Sequence, residues 1–424
     1  PLEAVVVASL TEALPFPWGW LYGLQARRQR QQVGARRDLG QLSLPEILAR
    51  SETEAPPLAA EAGDIALLQY TGGTTGVPKA AILTHRNLVS NVVQINTWLP
   101  HCQRGGERVL AVLPYFHVFG MTAAMNWPLN LAGTIILLPR FEATQVLRAI
   151  QKWRPTVFPA VPTMFIALLN HPQLRRYDLS SLWGCISGSA PLPRQVQEEF
   201  EQLTGGRIIE GYGLTETSPV THLNPITGRR KPGSIGQPFP GTACRIVDPE
   251  TGTRDLPPGE VGELVLKGPQ VMAGYWENPE ETALALRDGW FYTGDLATRD
   301  EDDFYYLVGR KKELIIASGF NVYPREVEEV LHLHPAVDQA VVFGVPEGYR
   351  GETVMAVVVP KAGVAVSAQE LFDFCRRNLA AYKVPKIIEF RQELPKTAVG
   401  KVLRRELREE AIIRWAREGS PLSS

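Results

Sequence analysis

The sequence predicts an α/β protein: a large α/β domain over residues 1–309 that closes with a β-rich subdomain, and a small α+β domain over 313–424, joined through 310–312. Three observations carry that reading. At 424 residues the chain exceeds what one hydrophobic core serves, so at least two domains are expected. From Ile65 to about Leu203, apolar strand-like runs alternate with helical patterns, the sign of parallel strands joined by crossover helices. Beyond Gly309 the order changes to strand, helix, two strands, helix and strand, which makes a separate compact unit.

Taken in order, residues 1–64 say least. The aromatic run Leu14-Pro15-Phe16-Pro17-Trp18-Gly19-Trp20-Leu21-Tyr22 precedes Arg27, Arg28, Arg30, Arg36 and Arg37, and 51–63 reads as a linker. With Pro15 and Pro17 in place, no long amphipathic helix is expected across the aromatics. Ile65-Ala66-Leu67-Leu68-Gln69 reads as a buried strand. Residues 109–139 hold no Asp, Glu, Lys or Arg, a run long enough to cross a bilayer. Pro114, Gly120, Pro128 and Gly133 interrupt it. A strand at 109–113, a helix after His117 and a strand at 134–138 fit better, buried on both faces as parallel strands are. Strands at 156–160 and 184–187 are each followed by a helix, at 163–169 and 194–203. From Gly236 to Leu266, short strands and turns such as Leu256-Pro257-Pro258-Gly259 mark the β-rich subdomain. In the last part, strands are read at 313–316, 337–345, 354–360 and 387–390, with helices at 324–333 and 369–379.

Composition narrows the function. Lys plus Arg number 44 against 45 Asp plus Glu, so no overall field draws nucleic acid, and no such partner is expected. Cys102, Cys185, Cys244 and Cys375 form no CxxC pair; neither a disulfide framework nor a zinc site is expected, and a reducing cytoplasm fits. The chain opens on Pro1-Leu2-Glu3-Ala4, with no signal peptide and no initiator Met.

The first strand runs into Tyr70-Thr71-Gly72-Gly73-Thr74-Thr75-Gly76-Val77-Pro78-Lys79. Glycines and threonines in such density cannot pack a core. They can form a loop whose N–H groups and hydroxyls converge on one anion, with Lys79 as a mobile cation. The Walker pattern is excluded, because Gly76 is followed by Val77-Pro78 and not by the residues that complete it. The alternative is an ordinary Gly/Thr surface turn.

Further motifs follow: Glu210-Gly211-Tyr212-Gly213-Leu214-Thr215-Glu216-Thr217, Trp290-Phe291-Tyr292-Thr293-Gly294-Asp295-Leu296, and Gly309-Arg310-Lys311-Lys312-Glu313. Then come Ser318-Gly319-Phe320-Asn321-Val322-Tyr323-Pro324 and Leu394-Pro395-Lys396-Thr397-Ala398-Val399-Gly400-Lys401. In this order, across residues 65–410, they resemble the adenylate-forming (AMP-binding) enzymes: acyl-CoA synthetases, luciferases and peptide-synthetase adenylation domains. Gly72-Gly73, Thr84-His85-Arg86-Asn87 and Tyr382-Lys383-Val384-Pro385-Lys386 are most similar to bacterial long-chain fatty acid–CoA ligases. Members of that family normally carry a substantial further N-terminal portion, so the chain is read as a fragment or a product that begins late.

The resemblance implies ATP-dependent ligation of a long-chain fatty acid to coenzyme A through an acyl-adenylate, releasing AMP and pyrophosphate. Two anions meet in such a step, so the site must cancel charge with Mg²⁺, a lysine and backbone donors. Thr71, Gly72, Gly73, Thr74, Thr75, Gly76 and Lys79 would then cradle the β- and γ-phosphates. Thr71 and Glu216 would hold Mg²⁺ with hard oxygen ligands. Tyr212 would face adenine, with Glu210 and Thr215 in the same motif and Gly211 and Gly213 allowing close backbone approach. Gly188, Ser189 and Ala190 resemble the other adenine wall. Asp295 would accept both ribose hydroxyls, Arg310 would reach the same ribose, and His117 would stand beside the carboxylate and α-phosphate. Met121 occupies the place where some long-chain relatives carry a gating Trp. Lys401 would serve adenylation; the small, mobile domain would then turn about Lys312 to bring Gly319 to the pantetheine tunnel for thiolysis.

Without the resemblance, Glu216 reads as a helix-start carboxylate, Tyr212 as a core residue, Asp295 as a turn residue, His117 as a core histidine and Lys401 as a solvated lysine. Two rival functions stay open: a fatty acyl-AMP ligase feeding a carrier protein, and a catalytically inactive nucleotide- or acyl-binding fragment. The expected partners are a fatty acid, ATP and CoA. Peripheral membrane contact through residues 14–37 and a homodimer are further candidates, and acyl chain length has no readable code.

Overall fold

Strand and helix here follow from where apolar residues fall. The computed structural model describes residues 4–28, 35–50, 59–71, 78–347, 351–397 and 402–418. The chain divides into two units, 1–60 and 61–424.

In the first unit, Val5–Val7 pairs in parallel with Gln41–Ser43, and helices run at Leu10–Ala13, Trp18–Arg28 and Leu44–Arg50. The eleven-residue helix Trp18–Arg28 takes in the second half of the aromatic run and begins only after Pro17, with Leu14–Pro17 outside it. Pro17 stands just before its first residue, where a missing N–H costs no helical bond, and its carbonyl accepts from Leu21 N. Phe16, Trp18 and Trp20 are exposed on this unit. Arg30 lies outside the described residues.

Among the described residues the second unit is built on four sheets. Its seven-stranded sheet has the order Gln237–Pro238, Val220–Leu223, Arg207–Gly213, Gly184–Ser187, Val157–Ala160, Arg108–Ala111, Thr134–Leu137. The pairs from Arg207–Gly213 to Thr134–Leu137 are parallel, and the two at the other end are antiparallel. Val157–Ala160 and Gly184–Ser187 are buried at every residue, as expected of strands covered on both faces. The charge-free run 109–139 is a strand, a helical segment from Val118 to Asn130 and a second strand. Among the described residues no helix is long and apolar enough to cross a membrane.

The β-rich part is a five-stranded antiparallel sheet holding Ala243–Val247, Gly262–Lys267, Leu286–Arg287, Trp290–Arg299 and Tyr305–Arg310. Ile65–Thr71 is a strand, but not a buried parallel one. It pairs antiparallel with Lys79–Thr84 at the edge of a three-stranded sheet, and Ile65 and Tyr70 are exposed. Ala66, Leu67, Leu68 and Gln69 between them are half-buried.

Beyond Arg310, the long strands Val337–Glu347 and Gly351–Pro360 form the centre of the fourth sheet. Alternate residues take opposite faces. Val342, Val354, Ala356 and Val358 meet Val327 and Leu331 of helix Pro324–His332 and Leu371 of helix Ala368–Asn378. Val341, Phe343, Met355 and Val357 meet Leu407 and Ala411 of helix Arg404–Glu418. Both faces are covered, which is why these strands read as near-continuous apolar runs.

Candidate functional site

A cleft of about 2360 Å³ opens in the second unit, and residues from all four sheets or the turns beside them reach it. Thr71 and Lys79 are cross-strand partners at the two ends of the Gly/Thr loop and both line the cleft. Gly72, Gly73, Thr74, Thr75 and Gly76 lie outside the described residues, as does Lys401. The Lys79 ammonium pairs with Glu281 and lies 5.5 Å from the centre of the Tyr275 ring. The Tyr275 hydroxyl donates to Glu216 Oε1 at 2.8 Å. Burial and that carboxylate push the Tyr275 phenol well above its ordinary range, so it stays a donor. Neither Tyr275 nor Glu281 was singled out from the sequence. The aromatic pair Tyr275-Trp276 was the available signal, and only the fold, which pairs Gly274–Tyr275 with Lys79–Thr84, brings Tyr275 to Glu216.

Two cross-strand pairs meet on one wall of the cleft. Tyr212 is opposite His222, and Asp295 is opposite Arg310. The Tyr212 hydroxyl donates to Asp295 Oδ2 at 2.6 Å, while Arg310 Nε is 2.9 Å from Oδ1. Asp295 is 4% exposed, so its two oxygens are satisfied by these partners. That arrangement raises Arg310 above its ordinary value. Gly211 and Gly213 line the cleft, but their lack of a side chain has an internal reason. A Cβ on Gly213 would fall 2.1 Å from the Pro219 carbonyl oxygen, and one on Gly211 would fall 2.6 Å from Leu223 Cδ1. Glu210 is buried; its carboxylate is raised to about 7, chiefly by loss of water, with the Leu192 N–H and Arg325 opposing.

Gly188, Ser189 and Ala190 form a further wall, with Ser189 at φ +70°, a left-handed conformation that is sparsely populated away from glycine. His117 caps the helix Val118–Met121, its Nδ1 accepting from Phe119 N at 3.2 Å, and it lines the cleft half-buried. Thr215, Glu216 and Lys312 also line it. Gly319 does not: it sits at φ +82° with no atom within 4 Å of where a Cβ would stand. The segments flanking Lys401 do reach the cleft, through Lys396, Thr397, Val402 and Leu403. Lys396 and Val402 are bridged antiparallel. Arg404 is ion-paired to Glu313, next to Lys312, and to Glu328 at 2.7 Å.

Ile95, Ala123, Trp127, Leu223 and Phe239 also border the cleft, packed together in one core cluster and each at most 3% exposed. No single motif announces this apolar border, because its residues come from segments far apart in sequence.

The chain belongs to the AMP-binding enzyme family: residues 5–276 match the family's main domain and residues 326–401 match the AMP-binding enzyme C-terminal domain. It is 50% identical over 412 residues to a long-chain-fatty-acid–CoA ligase of Bacillus subtilis, covering 96% of this chain and 73% of that protein. A ligase of the same name from Escherichia coli is 45% identical over 85% of this chain, which spans 64% of that protein's length. Among solved structures, ATP-bound MatB from Rhodopseudomonas palustris superposes with a TM-score of 0.84 at 33% identity, covering 99% of this chain and 80% of that one.

Proposed function

We propose that this chain ligates a long-chain fatty acid to coenzyme A through an acyl-adenylate, consuming ATP and releasing AMP and pyrophosphate. The observation that carries the reading is the continuity of the cleft. Tyr212, Asp295 and Arg310 border the same cleft as the apolar residues Ile95, Ala123 and Trp127. A fatty acid with its chain against that apolar border would present its carboxylate to a nucleotide on the polar wall, which holds the reacting atoms together and keeps water out.

In this reading Asp295 and Arg310 orient the ribose, Lys79 and residues 71–76 hold the terminal phosphates, and His117 faces the carboxylate. Thr71 and Glu216 fit Mg²⁺, because a hydroxyl and a carboxylate supplemented by phosphate oxygens suit an ion that takes few protein ligands. When bound, the ion would offset phosphate charge. Lys401 supplies positive charge at the α-phosphate. The second half-reaction uses a turn of residues 313–424 about Lys312 that replaces Lys401 by Gly319, with 1–309 as the stationary domain.

The test is direct. Supplied with ATP, Mg²⁺, hexadecanoate and CoA, the chain should form the thioester with AMP and pyrophosphate in equal amounts. Acid-dependent pyrophosphate exchange without CoA should also appear. Exchange without any thioester would move the assignment to a ligase serving a carrier protein; no exchange with any acid would leave a binding protein.

A further inference from the structure

We propose that Glu281 competes with the terminal phosphates of ATP for the ammonium of Lys79 and so sets how tightly ATP and pyrophosphate are held. The inference rests on the nucleotide reading of the cleft above. The strand Lys79–Thr84 is the middle one of its three-stranded sheet. On one side it pairs with Ile65–Thr71, which sets Lys79 opposite Thr71. On the other it pairs with Gly274–Tyr275, and Trp276 N donates to the Ala80 carbonyl. From there the chain enters helix Pro279–Ala285, which carries Glu281 in its first turn. Lys79 thus stands between the Thr71 strand and a carboxylate, and its ammonium is ion-paired with that carboxylate.

Local hydrogen bonds hold the carboxylate in that place. The Asn278 side chain caps the helix by accepting from Glu281 N at 3.2 Å. Thr282 Oγ1 accepts from Tyr275 N at 2.8 Å and donates to the Asn278 carbonyl at 2.8 Å, which fixes the helix against the strand beside Lys79. The Lys79 side chain is 14% exposed and that of Glu281 32%, with the Tyr275 ring below the ammonium. A pair so shielded from water is stronger than one on an open surface. A phosphate that takes the lysine must break or share it. A carboxylate here adds no attraction for an anion; its use is to take the lysine back. Once the acyl-adenylate has formed, return of Lys79 to Glu281 loosens pyrophosphate and lets it leave.

The test is calorimetric titration with pyrophosphate, ATP and AMP in the presence of Mg²⁺, using the parent chain, Glu281→Gln, Lys79→Ala and the double variant. Glu281→Gln should tighten pyrophosphate and ATP by about fivefold, the scale of one partly shielded ion pair. AMP, which has no terminal phosphates, should stay within about twofold of the parent and so reports on folding. Glu281→Ala should act alike and carries the test if the glutamine variant does not fold. In the Lys79→Ala background the gain should fall below about twofold, because the competition acts through the ammonium. An equal gain with and without Lys79 would mean plain charge repulsion and overturn the competition. Unchanged or weaker pyrophosphate binding in Glu281→Gln would overturn it too, making Glu281 a bystander or a support for Lys79. A parent chain that binds none of the three would overturn the nucleotide reading, and this proposal with it.

Discussion

Glu216 is the residue on which the metal assignment turns. Its carboxylate already accepts from Tyr275, so Glu216→Gln keeps the shape and that bond while removing one charge. The adenylation rate should fall, and half-maximal rate should need at least about tenfold more Mg²⁺. Unchanged Mg²⁺ dependence would show that another group holds the ion. Glu210 makes a different prediction. Its carboxylate is raised from the ordinary 4.5 to about 7 by burial. The folded chain thus holds a proton that the unfolded chain gives up earlier. The stability this group contributes is present below about pH 4.5 and is lost as the pH climbs through about 7. The loss amounts to at most about 3 kcal/mol. Thermal melts at a series of pH values should therefore show a slope over that window that Glu210→Gln flattens; parallel slopes in the two proteins would reject the buried-carboxylate account.

At the scale of elements, periodicity made most of the C-terminal part legible. Ile387–Phe390 falls where its apolar run predicts, and helix Pro324–His332 begins at the proline that announces it. Ile65–Thr71 is half-buried where its apolar run reads as buried, because it is an edge strand paired on one side, whereas Val157–Ala160 is paired on both. The prolines stand ahead of the helix Trp18–Arg28, and a proline ahead of a first turn permits what one inside it forbids. Within the site, glycine-rich and charged motifs were readable, whereas Tyr275 and Glu281 depend on partners 59 and 202 residues away in the chain. The helix Trp18–Arg28, with exposed Trp18 and Trp20 and terminal Arg27 and Arg28, suits the headgroup boundary of an anionic bilayer. Co-sedimentation with anionic liposomes at low salt should fall when both tryptophans become Ala. Equal sedimentation of the two proteins would remove lipid contact as the reason for their exposure.

For the molecule as a whole, the proposed alternation of two arrangements predicts opposite defects at two residues. Lys401→Ala should slow acyl-adenylate formation by about a hundredfold or more, the scale of losing one aligned charge partner in a transition state. It should largely spare conversion of supplied acyl-adenylate to thioester. Gly319→Leu should do the reverse. Because Gly319 sits at φ +82°, Gly319→Ala shares the backbone strain without the bulk and is the proper control. Equal losses in both half-reactions for Lys401→Ala, or equal effects of Ala and Leu at position 319, would count against a turning domain.

The hydroxyl of Tyr212 ties the seven-stranded sheet to Asp295 in the five-stranded one. Neither sheet can loosen without dismantling the wall that a nucleotide would face. A nucleotide bound only to the assembled wall therefore acts on melting by mass action, adding about 2.7 kcal/mol at a hundredfold excess over its Kd. Its hold extends to both sheets at once, so they would be expected to come apart in a single step and at a temperature that climbs with the ATP concentration.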